Sequence, residues 1–324
     1  MVRRSVVRGV GGYLPPKRVT NADLAKSMDT TDEWIVERTG MKQRHLLAEG
    51  QNTSDLAAEA ANIALKNANI TADDIDLIVV ATATPDHPFP ATAARVQAKI
   101  GAKKAFAFDV NAVCSGFVYA LSVADQFLKT GQATRALVIG ADAMSKIVDW
   151  NDRGTAVLFG DGAGALVLEG VDATHPDFER GVHSTHLFSD GCHYDLLYVD
   201  TIAASAKQPG HVRMQGREIF KSAIKLIGEA VEKVLAHNAI TIEDIDWFVP
   251  HQANLRIIEG ISTHFNIPME KMVVTVDQHS NTSAATIPLA LWEAARDGRI
   301  QPGHRVVLEA MGGGLTWGSA LVVW

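Results

Sequence analysis

The chain repeats itself at about half its length. The segment Ile-Thr-Ala-Asp-Asp-Ile-Asp-Leu-Ile-Val-Val begins at Ile70. It returns as Ile-Thr-Ile-Glu-Asp-Ile-Asp-Trp-Phe-Val-Pro at Ile240, 170 positions later in a chain of 324 residues. The echo continues beyond these runs. The stretch from Asp109 through Cys114 resembles that from Asp277 through Thr282, and each is followed by a helical pattern closing near a glycine, Gly131 or Gly298. Gly164–Leu168 parallels Gly318–Val322. Order and register agree over several elements, so two similar units by coincidence is the weaker explanation. The repeat predicts two pseudo-symmetric α/β halves, 1–172 and 173–324, with a site where equivalent loops converge.

Between the repeated runs, short β-rich apolar stretches alternate with helix-period segments. The strand pattern covers 75–82, 105–110, 136–141, 164–168, 247–249, 305–309 and 319–323. Helical spacing covers 53–66, 91–100, 115–129, 218–236, 254–264 and 283–296. Strands apolar on both faces imply sheets covered on both sides, the signature of a layered α/β fold. Thr30 and Glu33 have capping-box spacing at the start of a short helix that ends at Gly40.

Composition narrows the functional classes. A formal charge of −7 gives no bulk attraction to nucleic acid or to anionic membrane. No segment reaches the roughly 18 apolar residues of a membrane span. The basic start is interrupted by Arg8, Gly11, Gly12, Pro15 and Pro16, so a signal peptide is not expected. The two cysteines, Cys114 and Cys192, form no disulfide or zinc pattern and fit a reducing cytosol.

Four places carry residue types suited to chemistry. Cys114 stands between the end of a strand near Val110 and the start of a helix. The helix N-terminus favours a thiolate, so a lowered thiol pKa is expected there. By position alone, Cys114 reads equally as a nucleophile or as a buried structural cysteine. His251 follows a strand and precedes a helix in the opposite half; alone it reads sooner as a capping or solvent-facing histidine. Asn281 occupies the region that echoes the Cys114 loop, and alone it is an ordinary N-cap or turn residue. Gly312-Gly313-Gly314 allows a tight turn that aims backbone N–H groups inward. Gly160-Asp161-Gly162-Ala163-Gly164 is a weak phosphate-loop candidate, because no Lys-Ser/Thr follows and the next segment reads as strand. Cys192 lies in a polar, turn-rich stretch and is read as incidental.

Together these segments resemble the β-ketoacyl-acyl carrier protein synthase III family, the initiating condensing enzymes of bacterial fatty-acid synthesis. The resemblance rests on Asp-Glu-Trp-Ile-Val-Glu-Arg-Thr-Gly from Asp32, the Cys114 segment, Asp-Arg-Gly-Thr from Asp152, and Gly-Asp-Gly-Ala-Gly from Gly160. It continues through Val-Pro-His-Gln-Ala-Asn-Leu-Arg from Val249, Asn-Thr-Ser-Ala-Ala from Asn281, and Gly-Gly-Gly-Leu-Thr-Trp-Gly-Ser-Ala-Leu from Gly312. It implies a thiolase-like five-layered αβαβα fold, a homodimer and a Cys114–His251–Asn281 triad, with Cys114 and Gly313 N–H groups as the oxyanion hole.

The activity it implies is condensation of a short acyl-CoA with malonyl-acyl carrier protein. Trp34, Arg38, Arg153 and Asn254 would hold CoA, Phe89 and Phe159 would shape the acyl pocket, and Arg256 and Lys221 would dock the carrier protein. Phe89 resembles enzymes that prefer acetyl primers. Thr263-His264 departs from the basic pair of Gram-negative relatives, and Asn111, Val113, Ser115 and Ser280 depart from the commoner residues around the triad. No metal or redox cofactor is implied, and acyl-CoA enters as substrate. Related condensing enzymes of specialised metabolism, taking longer or branched acyl-CoA, are the alternative. A non-catalytic acyl-CoA-binding relative would lack a triad member, and none is missing.

Overall fold

A Cβ on Gly11 would stand 2.3 Å from the Ala60 carbonyl oxygen, so the first strand and the helix that covers it are in backbone contact. The computed structural model describes residues 2–200 and 210–324. In chain order the strands are β1 (Arg3–Tyr13), β2 (Lys17–Thr20), β3 (Gln43–Leu46), β4 (Leu77–Ala81), β5 (Phe106–Val110), β6 (Arg135–Ala143), β7 (Asp161–Asp172), β8 (Gly181–Ser189), β9 (Leu197–Val199), β10 (Val212–Met214), β11 (Trp247–Pro250), β12 (Arg305–Gly312) and β13 (Thr316–Val323). The helices are α1 (Asn21–Leu24), α2 (Asp32–Thr39), α3 (Thr53–Ala68), α4 (Thr92–Ile100), α5 (Gly116–Lys129), α6 (Arg153–Ala156), α7 (Gly216–Asn238), α8 (Leu255–Phe265), α9 (Val276–His279) and α10 (Thr286–Arg296).

Two mixed sheets carry the molecule, one of order β1-β7-β6-β4-β5 and one of order β11-β12-β13-β8. Alternation along the strands assigns each sheet face to a different core. Leu77, Val79 and Ala81 face a central core shared with Val306, Leu308 and Ala310, and this core is filled by α5 and α10. Ile78 and Val80 face α3 and α4 on one outside. Val307, Met311 and Leu321 face α7 and α8 on the other. Helices, sheet, helices, sheet and helices make the expected five-layered αβαβα thiolase-like arrangement.

The 170-residue echo recurs in three dimensions. Thr71 and Thr241 make matching capping boxes. Leu77 pairs in parallel with Ala136, as Trp247 does with Val306. Asp76 and Asp246 each accept the backbone N–H of an arginine, Arg135 at 3.1 Å and Arg305 at 2.7 Å. Val113 and Ser283 both sit in the left-handed region, at φ 48° and 52°. They open short 3₁₀ turns, Val113–Ser115 and Ser283–Ala285, that lead into α5 and α10.

This pairing corrects the register read from the sequence by two residues. Cys114 is matched with Ala284, and Asn111 with Asn281. The cap of α2 also moves by one. Thr31, not Thr30, is the N-cap and accepts the Trp34 N–H at 3.1 Å, because Thr31 holds the extended backbone that a cap requires. Gly40 closes the helix at φ 76° as expected. Strands β1 and β8 were not evident from the sequence pattern. The Gly160 loop leads directly into β7, which removes the phosphate-loop candidate.

Candidate active site

A cavity of about 290 Å³ opens where the two halves meet, and Cys114, His251 and Asn281 all line it. Cys114 and His251 arrive at the carboxyl ends of strands, and Asn281 arrives just after the short helix α9. Cys114 lies in the turn between β5 and α5, His251 directly follows β11, and Asn281 stands at the mouth of the turn into α10. All three are buried, at 5–6 % exposure.

The surrounding bonds fix how each group is presented. Ser283 donates its backbone N–H to Asn281 Oδ1 at 2.8 Å, which leaves Nδ2 as the donor free to face the cavity. The Asn281 backbone bridges the halves, taking the Gly160 N–H on its carbonyl and donating its own N–H to the Leu158 carbonyl. His251 Nδ1 lies 2.7 Å from Thr286 Oγ1, so Nε2 is the ring nitrogen left for chemistry. Its backbone N–H donates to the Glu309 carbonyl at 2.8 Å.

Burial pushes the Cys114 thiol up to about 12, with the Ser283 hydroxyl opposing that shift and the Asp142 carboxylate adding to it. This direction is opposite to the lowering expected from the helix N-terminus, and its main cause is loss of solvent around the thiol. Burial alone pushes His251 down to about 3. At neutral pH the pair rests as a thiol and a neutral imidazole.

The glycine turn between β12 and β13 approaches the thiol closely. A Cβ on Gly312 would lie 2.7 Å from the Cys114 backbone nitrogen, whereas one on Gly313 would meet the Leu197 carbonyl oxygen at 2.8 Å. Thr316 Oγ1 ties this turn to the Cys114 loop, 3.1 Å from both the Ala112 and Gly313 carbonyls and 2.8 Å from Ser115 Oγ. Gly312→Ala is expected to displace the Cys114 amide and slow acylation of Cys114 by about 100-fold, a loss on the scale of one oxyanion donor. Intact-protein mass spectrometry over time checks this.

The other residues singled out by sequence fall in three places. Phe159, Trp34, Arg38 and Asn254 line the cavity. Arg153 stands at its rim, its guanidinium carbon 4.7 Å from the Trp34 ring centre, while that of Arg38 is 4.6 Å from it. Phe89 does not line the cavity of its own chain and is 85 % exposed. Arg256 is exposed on α8. Lys221 is exposed on α7, with Nζ 3.0 Å from Glu218 Oε1. Cys192 is exposed and does not line the cavity.

Sequence reasoning missed Asp142, Ser283 and Thr286, and it placed the oxyanion role on Gly313 rather than on its neighbour Gly312, which lines the cavity. The signal for Asp142 was a lone carboxylate in an otherwise small and apolar strand, Val-Ile-Gly-Ala-Asp-Ala. Ser283 and Thr286 gave none beyond their closeness to Asn281.

Comparisons with known proteins agree over the whole chain. Residues 108–191 match the family model for 3-oxoacyl-[acyl-carrier-protein] synthase III, and residues 235–324 match the model for its C-terminal part. A β-ketoacyl-[acyl-carrier-protein] synthase III of Paramagnetospirillum magneticum is 60 % identical over 322 residues, covering 99 % of each chain. Its counterpart in Rhodospirillum centenum is 57 % identical over 324 residues, covering all of both chains. A crystal structure of 3-oxoacyl-[acyl-carrier-protein] synthase III from Aquifex aeolicus VF5 superposes with a TM-score of 0.93 at 43 % identity, covering 99 % of this chain and 100 % of that one. Identity at this level over complete chains, together with the shared fold, means that the chain belongs to the β-ketoacyl-[acyl-carrier-protein] synthase III family.

Proposed function

We propose that the chain catalyses the decarboxylative condensation of a short acyl-CoA, acetyl-CoA foremost, with malonyl-acyl carrier protein, giving the first 3-oxoacyl-acyl carrier protein of fatty-acid synthesis. The observation that carries this reading is the single cavity lined by Cys114 from one half and His251 and Asn281 from the other.

In the first half-reaction Cys114 Sγ attacks the thioester carbonyl carbon, the carbon–sulfur bond to CoA breaks, and the thiol proton ends on the CoA sulfur. The neutral His251 ring beside it is a base for that transfer. Backbone N–H groups of Cys114 and Gly313 hold the oxyanion. In the second half-reaction malonyl loses CO₂, the electron pair passes into a thioester enolate, and the enolate attacks the acyl carbon. Asn281 Nδ2 donates a hydrogen bond to the enolate oxygen, and the neutral His251 ring donates a second in the tautomer that carries its proton on Nε2. The Cys114 thiolate that departs takes one proton from solvent.

Trp34, Arg38 and Asn254 line the outer cavity, and Arg153 stacks on Trp34 from the rim. A planar nucleotide base entering there would part Arg153 from Trp34 and take its place. Arg38 adds positive charge for the CoA phosphates. Arg256 and Lys221 give exposed positive charge for an acidic carrier protein.

A homodimer fits two features. Strand β5 is an unpaired edge of its sheet. Phe106 on that strand is 40 % exposed, and Phe89 is far more so, as suits a residue that completes the acyl pocket of a second copy. Among the described residues no helix is long and apolar enough to cross a membrane, and no group of three or more metal-ligating side chains occurs. The proposed reaction needs no cofactor besides the acyl-CoA substrate.

The test is intact-protein mass spectrometry with acetyl-, isobutyryl- and octanoyl-CoA, followed by malonyl-acyl carrier protein. An acetyl adduct that disappears as 3-oxobutanoyl-acyl carrier protein forms is the expected result. An adduct only with the longer or branched acyl group would move the chain to specialised metabolism. No adduct with any of them would overturn the reading.

A further inference from the structure

The carboxylate of Asp142, at the end of β6, is fully buried in the first half and binds backbone and hydroxyl groups from two loops that do not follow one another in sequence. Its Oδ1 accepts the N–H groups of Ala83 at 2.8 Å and Thr84 at 3.1 Å, and the hydroxyls of Thr82 at 3.1 Å and Thr84 at 2.9 Å. Its Oδ2 accepts the Ala284 N–H at 3.0 Å, across the boundary between the halves. Asp142 accepts in every one of these bonds, which favours its ionised form against the burial that pushes the carboxyl up. A carboxylate taken out of water is retained only where such donors replace the solvent.

The Ala284 contact lies one residue from the bond that aims Asn281. Ser283 is held at φ 52°, a conformation unfavourable for a side-chain-bearing residue, and its N–H points at Asn281 Oδ1. The next N–H in the chain, that of Ala284, is pinned by Asp142. Pinning both amides holds the turn in its left-handed form and leaves Asn281 Nδ2 directed into the cavity. We infer that Asp142 is a positioning residue for the condensation step, acting across the halves through the Ala284 amide to orient the Asn281 carboxamide.

The inference rests on the roles given above to Cys114 and Asn281, and it makes the two half-reactions respond differently. Acylation uses Cys114 and its oxyanion donors, which Asp142 does not touch. The Asp142 charge also disfavours thiolate at Cys114, so its removal does not impede that half-reaction. Condensation needs the Asn281 donor in place. A general loss of structure would depress both steps together.

The test compares native protein with Asp142→Asn, an isosteric change that removes the charge and part of the acceptor capacity. Acylation by acetyl-CoA is followed by mass spectrometry, and condensation is followed separately by adding malonyl-acyl carrier protein to preformed acyl-enzyme. Condensation is expected to fall more than tenfold while acylation stays within about threefold of native. Any other pattern overturns the inference. If Asp142→Asn does not fold, Thr84→Val, which removes one donor from the same carboxylate, replaces it. A fall in condensation at least three times any fall in acylation supports the inference, and a smaller ratio overturns it. Native protein that forms no acyl-enzyme would refute the proposed function itself, an outcome visible before any variant is made.

Discussion

Replacing Cys114 by alanine is expected to eliminate the covalent acyl adduct and to lower 3-oxoacyl product formation by about 10⁴-fold or more, the scale at which loss of a nucleophile is felt. The same variant should still release CO₂ from malonyl-acyl carrier protein. His251 and Asn281 are held by Thr286 and Ser283, and neither contact involves the thiol. The opposite split is expected for Asn281→Ala, with an adduct formed but not consumed. Mass spectrometry of the protein and assay of CO₂ release read both arms. Loss of decarboxylation together with the adduct in Cys114→Ala would mean that the thiol also organises the enolate site. An adduct that survives in Cys114→Ala would place the nucleophile elsewhere in the chain.

The second large effect concerns stability. Glu309 on β12 is buried, and neither of its carboxylate oxygens has a hydrogen-bond partner. Burial pushes its carboxyl up to about 8 from the ordinary 4.5. The folded protein therefore keeps this proton to higher pH than the unfolded chain does. The contribution to stability is fully present below about pH 4.5 and is lost as the pH rises through 8, beyond which the loss is constant. Over that window the loss is at most about 5 kcal/mol, at 1.36 kcal/mol per pH unit. Glu309→Gln keeps the shape without an ionisable group. The variant should match native protein closely near pH 5, exceed it increasingly towards pH 8 and keep that lead above it, in urea denaturation at each pH. Other titrating groups are common to both chains, so the difference between the two curves isolates Glu309. Parallel curves would show that the native carboxylate does not carry the pH dependence.

Much of the architecture was legible because duplication writes the same instructions twice. Thr71 and Thr241 begin the same capped turn, and the strands that follow are apolar on both faces. The elements that escaped lack such patterns. In β1, Arg3, Arg4 and Arg8 interrupt the apolar run, yet all three guanidinium groups find partners far along the chain, Arg4 at His183 and the Phe178 ring. Arg3 donates to the Gly170 carbonyl, and Arg8 pairs with Glu169 and Asp177. In β8, His183, Ser184, Thr185 and His186 give a polar sequence to a strand that pairs with β13 along its length.

At the site, single residues were ambiguous, and it was the family resemblance carried by several motifs in order that pointed to Cys114, His251 and Asn281, which line one cavity. Electrostatics were not legible in the same way. The helix N-terminus behind Cys114 could be read from sequence, but the depth of burial that overrides it depends on how the opposite half closes the pocket. The same holds for Asp142 and Glu309. A charged letter inside an apolar strand announces a buried carboxylate, but not whether five donors or none await it.

The matching of Cys114 with Ala284 explains why a chain built twice has a single reactive centre. Ala284 occupies the twin of the Cys114 position on an equivalent backbone, yet it is buried and lies outside the lining of the Cys114 cavity. Its methyl group would lie 3.5 Å from a Cβ on Gly116, and its carbonyl 2.2 Å from one on Gly140. One turn became a mouth and its twin became the wedge that closes the space behind it. The molecule therefore spends half of its symmetry on solidity, and a second thiol grafted at the twin position would be sealed against its neighbours before any substrate could reach it.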